Sequence, residues 1–148
     1  MEFLIIADLT ALCKQDILDI LNGGVSTNTN TNELNVVERA AVEEVRSYIN
    51  PKYDVDAIFA ATGDDRNPLI VSHVAHIALY NAHLKMTPNK VPAIREERYQ
   101  ASIEWLNRLA RGIVNPLLPV KTITTADGNS AYYTALRYGG KSKKTVDW

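Results

Sequence analysis

Arg95-Glu-Glu-Arg-Tyr-Gln-Ala-Ser-Ile-Glu-Trp-Leu-Asn-Arg-Leu-Ala-Arg-Gly112, followed by Ile113-Val-Asn-Pro-Leu-Leu-Pro119, is the stretch on which the fold turns. Tyr99, Ile103, Leu106, Ala110 and Ile113 recur at three- and four-residue steps, the spacing of one buried face of an α-helix. Gly112 suits the left-handed conformation that closes helices, and Pro116 and Pro119 forbid a restart close by. The stretch reads as a strongly patterned helix with a marked stop. It holds no catalytic apparatus.

Working outward, two earlier segments have the same character. Glu33 to Ile49 sets Leu34, Val37, Ala41, Val45 and Tyr48 on one face and Glu38, Arg39, Glu43, Glu44 and Arg46 on the others, and Asn50-Pro51 ends it. Pro68 to Met86 is the most apolar segment. Ile70, Val74, Ile77 and Leu84 share one side of it, with Val71, Ala75, Ala78 and Ala82 adjoining. An apolar arc that wide implies neighbours on two sides, so this is expected to be the central helix.

Nearer the N-terminus, Asp8 can cap a brief helix over Leu9 to Leu12, and Asp16 a second over Ile17 to Leu21, stopped by Gly23-Gly24. The polar run from Ser26 to Asn32 can bury almost nothing and is expected to be an exposed, mobile excursion. Lys52 to Asp65 reads as a loop with one helical turn around Ala57 to Ala61. Beyond Pro119 the composition shifts to Thr, Ser, Ala, Gly, Tyr and Lys. Val120 to Thr125 and Tyr132 to Tyr138 are strand-like, separated by the turn-like Asp127-Gly-Asn129. Gly139-Gly-Lys-Ser-Lys-Lys144 has a flexible composition and leads to a terminal Trp148. The fold class is therefore mainly α: a small helical bundle with a long central helix over residues 1–119, with an exposed polar loop at 23–32. Residues 120–148 form an extended basic C-terminal tail with strand-forming pieces.

The chain has 148 residues, 46% of them apolar, enough for one domain with a true core. A formal net charge of -1 argues against DNA or an anionic membrane as a partner of the whole surface. From Lys121 onward there are five Lys/Arg against two Asp, while residues 1–120 hold eleven basic against fifteen acidic side chains. An acidic body with a basic tail fits chain-to-chain docking, or simply a solvated tail. Cys13 is the single cysteine, so no intrachain disulfide can form, and its apolar neighbours mark it as a small buried hydrophobe. The N-terminal Met-Glu-Phe-Leu-Ile-Ile is too short and too acidic for a signal peptide. No apolar run approaches the roughly 20 residues of a membrane span.

Few motifs could carry chemistry. His73, His76, Tyr80 and His83 fall within an arc of about 80° on one helix. Two imidazoles at i and i+3 could share a metal, but no further ligand or supporting acceptor is apparent, and a polar seam facing solvent or a neighbouring subunit is the plainer account. Gly139-Gly-Lys-Ser-Lys has Ala135 where a phosphate loop needs its first glycine, and too little chain follows to form the helix that holds phosphate. Asp54, Asp56, Asp64 and Asp65 do not match a calcium loop, and Lys52 and Arg66 stand beside them. No nucleophile, base and oxyanion donor assemble, so no catalytic, cofactor or metal residues are expected.

The candidates that remain are interface residues. Arg95, Arg98, Arg108 and Arg111 are interleaved with Glu96, Glu97 and Glu104, a mixture suited to salt bridges within the chain or between copies. Trp105 lies off the Tyr99–Leu106 face, either packed under the loop around Phe59 or serving as an interface anchor. Tyr132, Tyr133, Tyr138 and Trp148 supply aromatic contacts in the tail.

From Phe3 to Pro119 the chain resembles the Mu-like gp36-type neck proteins of tailed phages and prophages, a family related to head–tail connector (adaptor) proteins. The resemblance rests on Phe3-Leu-Ile-Ile-Ala-Asp-Leu9, on Glu38-Arg-Ala-Ala-Val-Glu-Glu-Val-Arg-Ser-Tyr-Ile49, and on Lys52-Tyr53-Asp54. It continues through Ile77-Ala-Leu-Tyr-Asn81, Arg98-Tyr99, Trp105-Leu106 and Gly112. It implies a non-enzymatic virion subunit in the neck at the capsid–tail junction, made in the host bacterial cytoplasm. Such subunits form a homo-oligomeric ring, often of twelve copies, between the portal protein and a tail or stopper protein. DNA passes through the ring without sequence-specific binding, and no cofactor or membrane is involved. Thr27 to Asn32 and the tail after Val120 are the least typical parts. A tail-completion or other phage assembly factor, and a bacterial helical binding module, are the alternative readings.

Overall fold

The computed structural model describes residues 2–27, 31–86, 89–124 and 130–132. Six helices account for most of them: α1 (Ile6–Thr10), α2 (Gln15–Leu21), α3 (Asn32–Ile49), α4 (Val55–Ala60), α5 (Pro68–Met86) and α6 (Ala93–Ala110). Two short strands, β1 (Thr122–Thr124) and β2 (Ser130–Tyr132), pair antiparallel with Thr122 opposite Tyr132. The chain is a mainly helical bundle.

The central helix is α5, which touches α1, α2, α3 and α6. Its apolar surface is spread around the axis, and Ile70, Val74, Ala75, Ile77, Ala78, Leu79 and Ala82 are all buried, as a helix enclosed by neighbours requires. Its start follows from local chemistry. Asn67 Oδ1 accepts the N–H groups of Leu69 (3.0 Å) and Ile70 (3.3 Å), and Pro68 occupies the first turn, where no N–H is needed. On α3, Leu34, Val37, Ala41, Val45 and Ile49 face the core. Each of the larger ones contributes about 1.5–3 kcal/mol by leaving water.

The short helices differ from the sequence reading in their starts. Asp8 lies inside α1, where its carboxylate accepts the Ile5 N–H at 2.9 Å. Asp16 sits in the first turn of α2, which begins one residue earlier. The single turn expected around Ala57–Ala61 is α4, capped by Asp54, whose side chain accepts the Ala57 N–H at 3.1 Å.

The last helix buries a face that overlaps the one its pattern suggests but is rotated toward Ser102 and Leu109. Ser102, Leu106 and Leu109 are buried, Tyr99 and Ile103 are half-covered, Ala110 is exposed and Ile113 is 62% exposed. Several apolar rows overlap on α6, and the neighbours α5 and α3 decide which one turns inward. Its stop is as expected. Gly112 has φ 74°, its N–H reaches the Leu109 carbonyl, and the Ile113 N–H reaches the Arg108 carbonyl, both at 2.9 Å. These two bonds satisfy carbonyls that a helix end otherwise leaves open.

Two connections are tighter than their composition suggests. Asp19 accepts the Thr27 N–H at 2.8 Å and the Thr27 hydroxyl at 3.0 Å, leaving Thr27 3% exposed. The Thr27 amide first, then the Gln15 side-chain amide and the Thr27 hydroxyl, hold the Asp19 carboxyl below the usual carboxylate range. The excursion expected from Ser26 to Asn32 is thus anchored at its start and is helical from Asn32, while residues 28–30 lie outside the described residues. The segment after α6 is also fixed. Leu118 is buried, Val120 bridges to Tyr53, and Asp54 N–H donates to the Pro119 carbonyl at 2.9 Å. The expected turn at 127–129 and all but the first residue of the strand expected at 132–138 lie outside the described residues.

Candidate functional site

The side chains singled out from the sequence gather on α6 and along its seam with α5. His73 on α5 stacks on Trp105 of α6, with ring centroids 4.2 Å apart and planes 22° from parallel. Its Nδ1 lies 3.1 Å from Ser102 Oγ, whose own proton is directed to the Arg98 carbonyl at 2.9 Å. The serine can then only accept, so His73 carries its proton on Nδ1. Two turns on, Tyr80 stacks on Tyr99 at 4.2 Å, and the Tyr99 hydroxyl donates to Glu44 Oε1 on α3 at 3.1 Å. His83 is buried and donates from Nδ1 to the Leu79 carbonyl at 2.7 Å.

His73 and Tyr80 thus face α6 of the same chain, His76 lies near its Arg98 and Arg95, and His83 is buried with its hydrogen bond to its own helix. This corrects the expectation that the polar row on α5 meets solvent or a neighbouring subunit. Its electrostatics follow from that enclosure. Burial, followed by the neighbouring His76, pushes the His73 pKa down to about 4. His76 is lowered by burial first and then by Arg98 and Arg95, and its Nδ1 is buried with no hydrogen-bond partner among the described residues. Tyr99 is pushed up to about 12 by burial, with Glu44 adding to it. No group of three or more His, Cys, Asp or Glu side chains suited to a metal occurs among the described residues.

The interface candidates divide. Trp105 is half-buried against His73, away from Phe59, which packs edge-on against Phe3 at 4.9 Å. Arg95 is tied inward, donating from Nη2 to the Leu12 carbonyl at 2.7 Å. It stands beside Cys13, whose thiol pKa burial raises while Arg95 opposes the rise. Arg98, Arg108 and Arg111 are exposed. The Tyr132 backbone pairs in β2, and Tyr133, Tyr138 and Trp148 lie outside the described residues.

The strongest polar feature is one that pattern reading placed on the surface. Glu38 of α3 is 2% exposed. Its carboxylate accepts the backbone N–H groups of Glu2 (3.1 Å), Phe3 (2.9 Å) and Leu4 (2.6 Å). Arg66 secures the same segment from the other side, donating to the Phe3 carbonyl at 2.8 Å and to Asp8 at 2.6 Å. Arg66 is thus a structural partner of Asp8, in place of the expected partner of Asp64 and Asp65. A cleft of about 360 Å³ opens beside this pair, lined by Asp8, Leu12, Asp64, Arg66, Val71 and Ser72. Its guanidinium is committed to Asp8 and to the carbonyls of Phe3 and Gly63, so the cleft has a size suited to small molecules but an occupied cation.

The chain matches no protein-family model, no curated protein and no solved structure. Among the described residues, no helix is long and apolar enough to cross a membrane.

Proposed function

We propose that this chain is a structural subunit of a phage or prophage neck: a head–tail connector that forms a ring beneath the portal and surrounds the DNA channel. The observation that carries the reading is the anchored extension at one end of the bundle. Residues 118–121 are fastened to the loop before α4 by the Tyr53–Val120 bridge and by backbone bonds of Asp54 and Lys121. The chain then continues into a β-hairpin that no third strand accompanies among the described residues. A two-stranded ribbon is marginal by itself and gains most from a partner strand. A packed helical body with a firmly rooted, strand-forming arm is what a subunit needs to dock on an adjacent ring.

The charge distribution supports the same reading. An acidic body resists adhesion to the phosphate backbone of DNA moving past it, and the basic C-terminal sequence supplies charge of the opposite sign for docking. The order of helix patterns from Phe3 to Pro119 adds the resemblance described above. The test is electron microscopy of the full chain mixed with the portal protein of the same genome. The expected result is a ring stacked on the outer end of the portal. Absence of association, with the portal assembled and this chain folded, overturns the connector role.

A further inference from the structure

One side of α6 carries a stripe that no other element of the described chain covers. Ile94, Glu97, Ala101, Glu104, Arg108 and Arg111 follow at three- and four-residue steps, which keeps them on one face, and all six are exposed. Their charges are sorted along the helix: the N-terminal part is acidic and the C-terminal part basic. Among the described residues no ion pair engages Glu97, Glu104, Arg108 or Arg111. Reversed about its middle, the stripe brings two Glu–Arg pairs together against one Glu104–Glu104 approach near the axis, a net attraction.

We propose that α6 pairs antiparallel with α6 of a second copy of this chain, about a two-fold axis between Ala101 and Glu104. In that register Glu97 faces Arg108 of the second copy, and the reverse contact repeats the pair. Ile94 lies against the methylenes of Arg111 of the second copy. The small Ala101 at the crossing lets the helices approach closely. Arg98, exposed next to the stripe, comes within reach of the free side of Trp105 of the second copy, whose inner side rests on His73. A parallel arrangement sets Glu against Glu and Arg against Arg, so charge alone selects the antiparallel one.

A two-fold contact closes at two copies and cannot propagate a ring. The pairing therefore stands apart from the connector reading, and either can fail without the other. The experiment is sedimentation equilibrium of the full chain at about 50 mM and about 500 mM NaCl, a range over which screening of exposed charges rises steeply. The expected result is a dimer at low salt whose dissociation constant rises at least about tenfold at high salt. E97R alone and R108E alone each weaken it by about tenfold or more, and E97R/R108E restores it to within about threefold. Far-UV circular dichroism confirms the fold of each variant. Should either reversal unfold the chain, Ala101→Trp, a bulky change on an exposed face, replaces it and abolishes the dimer. A monomer at every concentration in low salt, or a dimer indifferent to these changes, overturns the proposal.

Discussion

A carboxylate inside a helical bundle is costly unless its oxygens are filled, and Glu38 fills them with main-chain amides. Glu38→Ala removes the acceptor and leaves those amides buried beside a void. The expected loss is about 3 kcal/mol, read as a shift of the urea midpoint with unchanged slope. Glu38→Gln keeps the volume and one acceptor oxygen, so it falls between the two. A loss below about 1 kcal/mol for the alanine variant would falsify the assignment. Nothing local in the sequence marks this residue. Its helical position borders the apolar row of Leu34, Val37 and Ala41, and its partners lie 34 to 36 residues away. Arg66 is illegible for the same reason: adjacent aspartates suggest a local role, while its ion-pair partner Asp8 is 58 residues distant.

At the scale of elements, the seam between α5 and α6 makes stability depend on pH. The His73 pKa is about 4 in the folded chain, below its ordinary value of 6.5. As pH falls the unfolded chain takes the proton first. The stabilisation is full above pH 6.5 and is lost as pH falls through that value toward about 4. After allowance for partial exposure, the loss is on the order of 2 kcal/mol. His73→Phe keeps a ring against Trp105 and should flatten this part of the pH–stability profile measured by urea denaturation. An unchanged profile would assign the acid loss to other groups, His76 among them. Gly112→Ala forces a side chain into positive φ and should cost about 1 kcal/mol, seen as a lower thermal midpoint. The long helices were legible because their punctuation is local: Pro68, Asn50-Pro51 and Gly112 fall at or next to the observed ends. The inward face of α6 was legible only in part: Leu106, Tyr99 and Ile103 pack on the core as expected, while Ser102 and Leu109 are chosen by what α5 and α3 present.

For the molecule as a whole, the described fastening of the C-terminal segment to the helical body runs through Lys121. Truncation after Lys121 keeps Leu118, Val120 and the bonds to Lys52 and Asp54, so its thermal midpoint should stay within a few degrees of the full chain. Truncation after Gly112 removes them and should cost about 2–4 kcal/mol. Equal losses in both variants would show that the arm is part of the core. The segment held by Glu38 has a consequence of its own at this scale. Phe3 and Leu4 lie in no helix or strand, yet their amides are buried and hydrogen-bonded to a side chain rooted in α3. Releasing them requires α3 to part from the N-terminal segment, which also buries Phe3 and Leu4 in the core. In deuterated solvent these two amides should exchange as slowly as those in the middle of α5, so that residues without regular structure report the opening of the entire bundle.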